Sequence, residues 1–269
     1  MKIPFIIEPD DLEQYIGNPD VLIIDLCKRT HYVSGHIAGA VCLDYSELVL
    51  GVKPAPGLLP DINKLNKALS AIGMTSEKHV IAYDNEGGGN ASRLLWVLSE
   101  LGHTSMSLLN GGIIAWSNEH HSIEAANVVV EATEYVAEYT GQAAVSIDYL
   151  LENMNKESIC LVDSRSHAEF IGEKKYANRG GHIPRAVNLD WVETMDKDNN
   201  FRFLGRQLVQ QKYTDLGVGK DQEVIVYCQT HHRSSHTYVL LKSLGYTNVK
   251  GYAGAWSEWG NRNDTPVEV

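Results

Sequence analysis

One pattern runs through this chain twice, in the same order. Val21-Leu-Ile-Ile-Asp25 is matched by Ile159-Cys-Leu-Val-Asp163, and Gly35-His-Ile-Ala-Gly-Ala-Val-Cys-Leu-Asp44 by Gly181-His-Ile-Pro-Arg-Ala-Val-Asn-Leu-Asp190. Further on, Leu101-Gly-His103 is matched by Leu244-Gly-Tyr246, and Gly111-Gly-Ile-Ile-Ala-Trp116 by Tyr252-Ala-Gly-Ala-Trp256. Conserved order over this span implies two copies of one domain of roughly 120 residues each. The expected layout is a first domain over 1–124, a polar, acidic linker without clear period over 125–142, and a second domain over 143–269.

The local pattern names the fold class. Val21–Ile24, Val80–Tyr83, Ile159–Val162 and Val224–Tyr227 are short continuous apolar runs. Such runs suit strands of a parallel sheet covered on both faces. Leu94, Leu95, Leu98 and Leu101 then fall at helical spacing and stop at Gly102; Leu240, Leu241 and Leu244 do the same before Gly245. Glycine just past the last periodic residue ends a helix, because it alone enters the left-handed region freely. Strand alternating with helix predicts an α/β fold in each domain, with a mainly parallel sheet flanked by helices.

Charge narrows the partners. The formal net charge is −11, which argues against nucleic acid and against an anionic membrane surface. It is uneven: residues 1–140 carry 8 Lys+Arg against 18 Asp+Glu, and residues 141–269 carry 15 against 16. The second half is therefore the less repulsive host for a small anion. Cys27, Cys42, Cys160 and Cys228 form no CxxC pair or cluster, so neither a structural zinc nor a disulfide framework is expected. No stretch approaches the length of a membrane span, and the first residues do not read as a signal peptide, so the expected setting is reducing and cytoplasmic.

Reactive groups in open α/β sheets gather where strands end. Two equivalent loops stand there. Tyr83 is followed by Asp84-Asn-Glu-Gly-Gly-Gly-Asn90, and Tyr227 by Cys228-Gln-Thr-His-His-Arg-Ser234. The second loop has the makings of an activated thiolate. A helix is expected to begin near Ser234, and its N-terminus, the loop amides and Arg233 would all lower a thiol pKa. His231 and His232 add charge below neutral pH. The same ring of donors would hold an anionic persulfide. Cys27, Cys42 and Cys160 sit in or beside apolar runs and read as structural thiols.

At this point the chain resembles the rhodanese superfamily in its tandem two-domain form. The marks are Asp25 with Gly35-His36-Ile37, Asp163 with Gly181-His182-Ile183-Pro184, Cys228, and Gly254-Ala-Trp-Ser-Glu-Trp259. The resemblance implies a silent first domain, in which Asp84 replaces the cysteine, and an active site at the domain interface. It implies that Arg93, in Ala91-Ser-Arg93-Leu-Leu-Trp96, reaches the substrate; guanidinium forks suit oxyanions. The loop is similar to a Cys-Gln-Thr-Gly-His-Arg pattern but carries His231 where that pattern has glycine, a position that calls for positive φ or close approach. In mercaptopyruvate-type members Thr230, His36 and Asp25 would act together. Gly-His-Ile recurs at His182, however, where no such role exists, and this favours a structural His36.

The expected chemistry is a two-step exchange. Cys228 takes sulfur from a small anionic donor, thiosulfate or 3-mercaptopyruvate, and passes it to a thiol or cyanide acceptor, a protein thiol included. Around the nucleophile Cys228, the expected substrate contacts are Arg93, Arg233, Gln229, Thr230, His231, His232 and Ser234; Arg233 could equally staple the loop by its carbonyls. No cofactor and no metal is expected. A cysteine phosphatase or arsenate reductase on the same fold is the first alternative. It needs five residues between cysteine and arginine, and only Gln229, Thr230, His231 and His232 lie there. A zinc site on Cys228, His232 and His236 is the second. A persulfide carrier serving a protein partner is the third.

Overall fold

The structure is a computed structural model that describes residues 3–125 and 128–269. It divides into two units. The first contains Met1–Leu48, Pro60–Thr140 and Asp196–Phe203; the second contains Val49–Leu59, Gly141–Met195 and Leu204–Val269. Each unit therefore includes one short stretch from the other repeat.

The first unit holds a five-stranded sheet in the order Ile6–Ile7, Met106–Leu109, His79–Tyr83, Val21–Asp25, Val41–Cys42, parallel throughout. The second holds Ala144–Val145, Val249–Tyr252, Glu223–Tyr227, Ile159–Asp163, Val187–Asn188, again all parallel. The order is the same, as the duplication predicts. Val21–Asp25, His79–Tyr83 and Glu223–Tyr227 are buried from their second residue on, and Ile159–Asp163 at all but Cys160, which is why they read as unbroken apolar runs rather than alternating ones. Their ends are in register: Asp25 pairs with Tyr83, and Asp163 with Tyr227.

The helices Gly89–Glu100 and Arg233–Ser243 follow the central strands and are buried along most of their length. Both stop where expected. Gly102 and Gly245 take φ of 78° and 91°, the left-handed C-terminal position. Beneath the sheets lie two cores, one around Ile23, Ile81, Tyr83 and Trp116, the other around Leu161, Ile225, Tyr227, Trp256 and Trp259.

The repeat match needs one change of register. Trp116 corresponds to Trp259, not to Trp256. Both indoles donate to a carbonyl at the edge of their unit, Trp116 to Ser122 at 2.9 Å and Trp259 to Pro266 at 2.7 Å. The turn ahead of each helix has positive φ at Gly112 (56°) and at Ala255 (53°), each four residues before its tryptophan, with the amides of Ile113 and Trp256 donating to the Asp84 and Cys228 carbonyls. Similar Ala-Trp pairs had suggested the other pairing.

Of the stretch expected as linker, residues 126–127 lie outside the described residues. Residues 128–140 pack within the first unit. Thr133 and Tyr135 donate their amides to the carbonyl and hydroxyl of Ser70, both at 3.0 Å, Ala137 donates to the Asn66 side chain, and Thr140 to the Glu100 carbonyl. Helix side chains and carbonyls, not a strand ladder, satisfy this backbone, so the segment has no period to read. Among the described residues no helix is long and apolar enough to cross a membrane.

Candidate active site

Cys228 follows the last residue of a strand buried from its second residue on, and is itself 1% exposed. The loop that leaves it is pinned from below: Trp256 donates its amide to the Cys228 carbonyl at 2.9 Å, and Ser257 to that of Gln229 at 3.0 Å. The chain then turns back so that its amides face the sulfur. Burial alone would push the Cys228 thiol up. The Arg233 charge, the Ser234 hydroxyl, and the amides of Ser234 and Thr230 outweigh burial and hold it below its ordinary value. The other three cysteines go the other way: burial raises Cys27 and Cys42, and pushes Cys160 up to about 11.

His231 takes φ of 56°, the left-handed region where a glycine was to be expected. It is fully buried, and its Nδ1 lies 2.7 Å from the Ser234 hydroxyl, while Ser235 donates to the His231 carbonyl at 2.5 Å. The side chain thus locks the turn that a glycine would leave loose, and it orients the hydroxyl that faces the sulfur. Gln229 points away and donates to the Tyr176 carbonyl at 3.2 Å. His232 and His236 pack against the edge of Trp191, with ring centroids at 5.8 and 5.3 Å. Burial, and then the neighbouring His232, lower His236 to about 3, so it is a neutral imidazole at working pH. Among the described residues no group of three or more His, Cys, Asp or Glu side chains is gathered to hold a metal ion.

Arg233 opens its helix and forks onto Glu169, Nη1 to Oε2 at 2.7 Å and Nη2 to Oε1 at 2.9 Å. The staple runs to this carboxylate instead of to the loop carbonyls. Glu169 is 3% exposed, and Ser166 donates to it from its hydroxyl at 2.9 Å and its amide at 3.3 Å. This capping box opens the short His167–Phe170 helix. Burial pushes the Glu169 carboxyl up, but the bonds and charge of Arg233 and the Ser166 contacts leave it at about 2. Sequence reading missed Glu169, although Ser166-x-x-Glu169 is a recognisable signature. It also missed Gly57: a Cβ there would lie 2.1 Å from the Thr230 carbonyl oxygen and 2.9 Å from that of Ala253. Only a glycine lets this backbone lie against the loop.

The first unit shows what the same scaffold does without a cysteine. Asp84, fully buried, accepts from the amides of Glu86 at 2.9 Å, Gly88 at 2.8 Å and Ala91 at 2.9 Å. Ala91 stands as far before Gly102 as Ser234 stands before Gly245, so the same amide serves both loops. Arg93 is fully buried in this unit; it donates to the Leu48 carbonyl at 2.9 Å from Nη2 and lies over the Trp96 ring.

The two Gly-His-Ile histidines have one duty. His36 donates from Nδ1 to the Tyr32 carbonyl at 2.8 Å and stacks on Tyr32 at 3.9 Å; His182 donates to the Phe170 carbonyl at 2.9 Å and stacks on Phe170 at 3.6 Å. Their Nε2 atoms lie 3.8 and 3.7 Å from Glu124 and Glu268. Each pins a loop onto its own sheet.

Comparison with known proteins identifies the family. The rhodanese-like domain family matches the chain twice, over residues 8–119 and 146–262. The chain is 39% identical to a thiosulfate sulfurtransferase of Azotobacter vinelandii, covering 100% of this chain and 98% of that one. It is 30% identical to a 3-mercaptopyruvate sulfurtransferase of Escherichia coli, covering 100% and 99%. The crystal structure of the 3-mercaptopyruvate sulfotransferase of Escherichia coli superposes with a TM-score of 0.84 at 28% identity, over 94% of this chain and 99% of that chain.

Proposed function

Since the chain belongs to the rhodanese family and is a sulfurtransferase, we propose that it carries sulfur as a persulfide on Cys228, with thiosulfate as the preferred donor. The observation that carries this reading is the lowered thiol of Cys228, ringed by the Thr230 and Ser234 amides and the Ser234 hydroxyl. The higher identity to thiosulfate enzymes than to the mercaptopyruvate enzyme supports the donor.

In the first step the Cys228 thiolate attacks the outer sulfur of thiosulfate. A bond forms between the two sulfurs, the donor's sulfur–sulfur bond breaks, and sulfite leaves with its electron pair. The product is an anionic persulfide, for which the loop amides are a nest. In the second step a thiolate or cyanide attacks the outer sulfur, and Cys228 leaves as thiolate. Charge is conserved in each step, so no proton is needed in the transfer itself. Thr230 and Ser234 hold the sulfur anion, His231 orients the Ser234 hydroxyl, and Arg233 supplies the field. Gln229 and His232 border the loop. Arg93 is proposed as a donor-binding arginine and is tested by itself below. A thiol acceptor, a protein thiol included, fits a reducing, cytoplasmic setting.

The test is intact-protein mass after incubation with thiosulfate, and separately with 3-mercaptopyruvate, for wild type and Cys228→Ser. A gain of one sulfur atom in the wild type alone is expected, faster from thiosulfate. A gain in Cys228→Ser, or none in either protein, would overturn the assignment.

A further inference from the structure

Arg233 is the one arginine in the Cys228 loop, yet both its terminal nitrogens are spent on Glu169, and its effect on the sulfur is one of charge. A guanidinium beside a thiolate would ordinarily pair with it directly. Here a buried carboxylate, itself fixed at a helix start by Ser166, takes that place.

The silent repeat offers an internal control. Tyr32 stacks on His36 as Phe170 stacks on His182, so His31, just before Tyr32, stands where Glu169 stands. Asn90 precedes Ala91 as Arg233 precedes Ser234. Where the loop carries Cys228 it is accompanied by Arg233 and Glu169; where it carries Asp84 these are Asn90 and His31. In the first unit His31 meets Asn85 instead, at 2.5 Å. The ion pair accompanies the thiolate and is gone where the thiolate is gone. The folding core, by contrast, is kept in both: Tyr83 and Tyr227 each accept an amide at 3.1 Å, from Ile37 and Ile183.

We propose that Glu169 is a positioning residue for sulfur transfer: it ties down Arg233 so that the guanidinium acts on Cys228 through its field and does not close an ion pair on the sulfur. A thiolate locked in a direct pair is more abundant but less nucleophilic, because nucleophilicity falls as thiol pKa falls. Other charged or titratable groups near this cluster are Asp163 with its partner Arg165, Asp190, Lys174, His232 and His236. Asp163 is already engaged by Arg165 at 2.6 Å, so Glu169 is the anion that restrains Arg233.

This inference rests on Cys228 as the nucleophile, and the experiment separates the two. The pH dependence of Cys228 alkylation by iodoacetamide is measured in the full chain for wild type, Glu169→Gln and Glu169→Asp, with persulfide formation from thiosulfate followed in parallel. In Glu169→Gln the midpoint is expected to shift to lower pH and the plateau rate to fall several-fold; Glu169→Asp, which keeps the charge, should follow the wild type. A Glu169→Gln profile that coincides with the wild type or shifts upward, with or without a loss of thermal stability, would overturn the proposal. So would an equal shift in Glu169→Asp. Absence of persulfide in the wild type would instead remove the reading beneath it.

Discussion

Asp84 and Cys228 are held by equivalent amides: Ala91 donates to the Asp84 carboxylate, and its counterpart Ser234 donates to the Cys228 sulfur. Glu86 and Thr230 form a second such pair. The loop at the end of the central strand is therefore an anion nest in both repeats. In the first it is filled by a side chain that cannot transfer sulfur. In the second it is filled by a thiol, and the persulfide proposed for it would be a longer anion in the same nest.

Ser234→Ala removes the hydroxyl that faces the sulfur and leaves the amides in place. The Arg233 charge and the loop donors hold the Cys228 thiol below its ordinary value. Alkylation of the wild type should therefore rise with pH through a midpoint lower than that of an unperturbed thiol. Losing one hydrogen bond to a charged group costs about 1.5–3 kcal/mol, so the midpoint should move up by on the order of one unit in Ser234→Ala. Persulfide formation near neutral pH should slow by about tenfold. Iodoacetamide kinetics across pH would check both.

Gly57→Ala would drive a Cβ to 2.1 Å from the Thr230 carbonyl oxygen. The loop backbone must give way, at a cost of about 1–3 kcal/mol. A drop in kcat/KM for thiosulfate is expected together with a lower Tm. Gly205→Ala, where nothing lies within 4 Å of the new atom, should leave both nearly unchanged.

Arg93→Lys keeps a positive charge but loses the planar fork that bonds the Leu48 carbonyl through Nε and Nη2. If Arg93 also binds the donor, KM for thiosulfate should rise several-fold beyond what the change in stability explains. An unchanged KM with a lower Tm would restrict Arg93 to holding Leu48.

Glu169 has a folded value of about 2, below the roughly 4.3 of an unfolded glutamate. Its stabilising contribution is therefore complete above about pH 5 and is lost as pH falls toward 2. Urea midpoints measured across this range should fall more steeply in the wild type than in Glu169→Gln. Parallel curves would mean that the ion pair adds nothing to acid stability.

The duplication, the parallel sheets, the helix stops and the Cys228 loop were legible because each leaves a local mark: an apolar run, a leucine spacing, a glycine, a polar turn after a strand. The positive φ at His231 was legible for the same reason, as a side chain standing in a glycine's place. Glu169 was legible only as a helix-start residue after Ser166; its tie to the loop was not, because its partner Arg233 lies far along the chain and only the folded sheet brings them together. Gly57 left no mark, since it acts by having no side chain. The Trp116 and Trp259 pairing was obscured by Trp256, a residue of the same type in a nearly identical context, and only the positive φ of Gly112 and Ala255 sets the frame.

Residues 49–59 belong to the second unit although they are read out with the first repeat. During synthesis the strip that backs the Thr230 turn is made long before the turn exists, and it must wait for its partner to emerge. The catalytic repeat is thus not a module that could be cut at 142 and moved by recombination: a fragment so excised would carry Cys228 but not Gly57. Whatever single-domain ancestor was duplicated, its second descendant now leans on a strip encoded with the first.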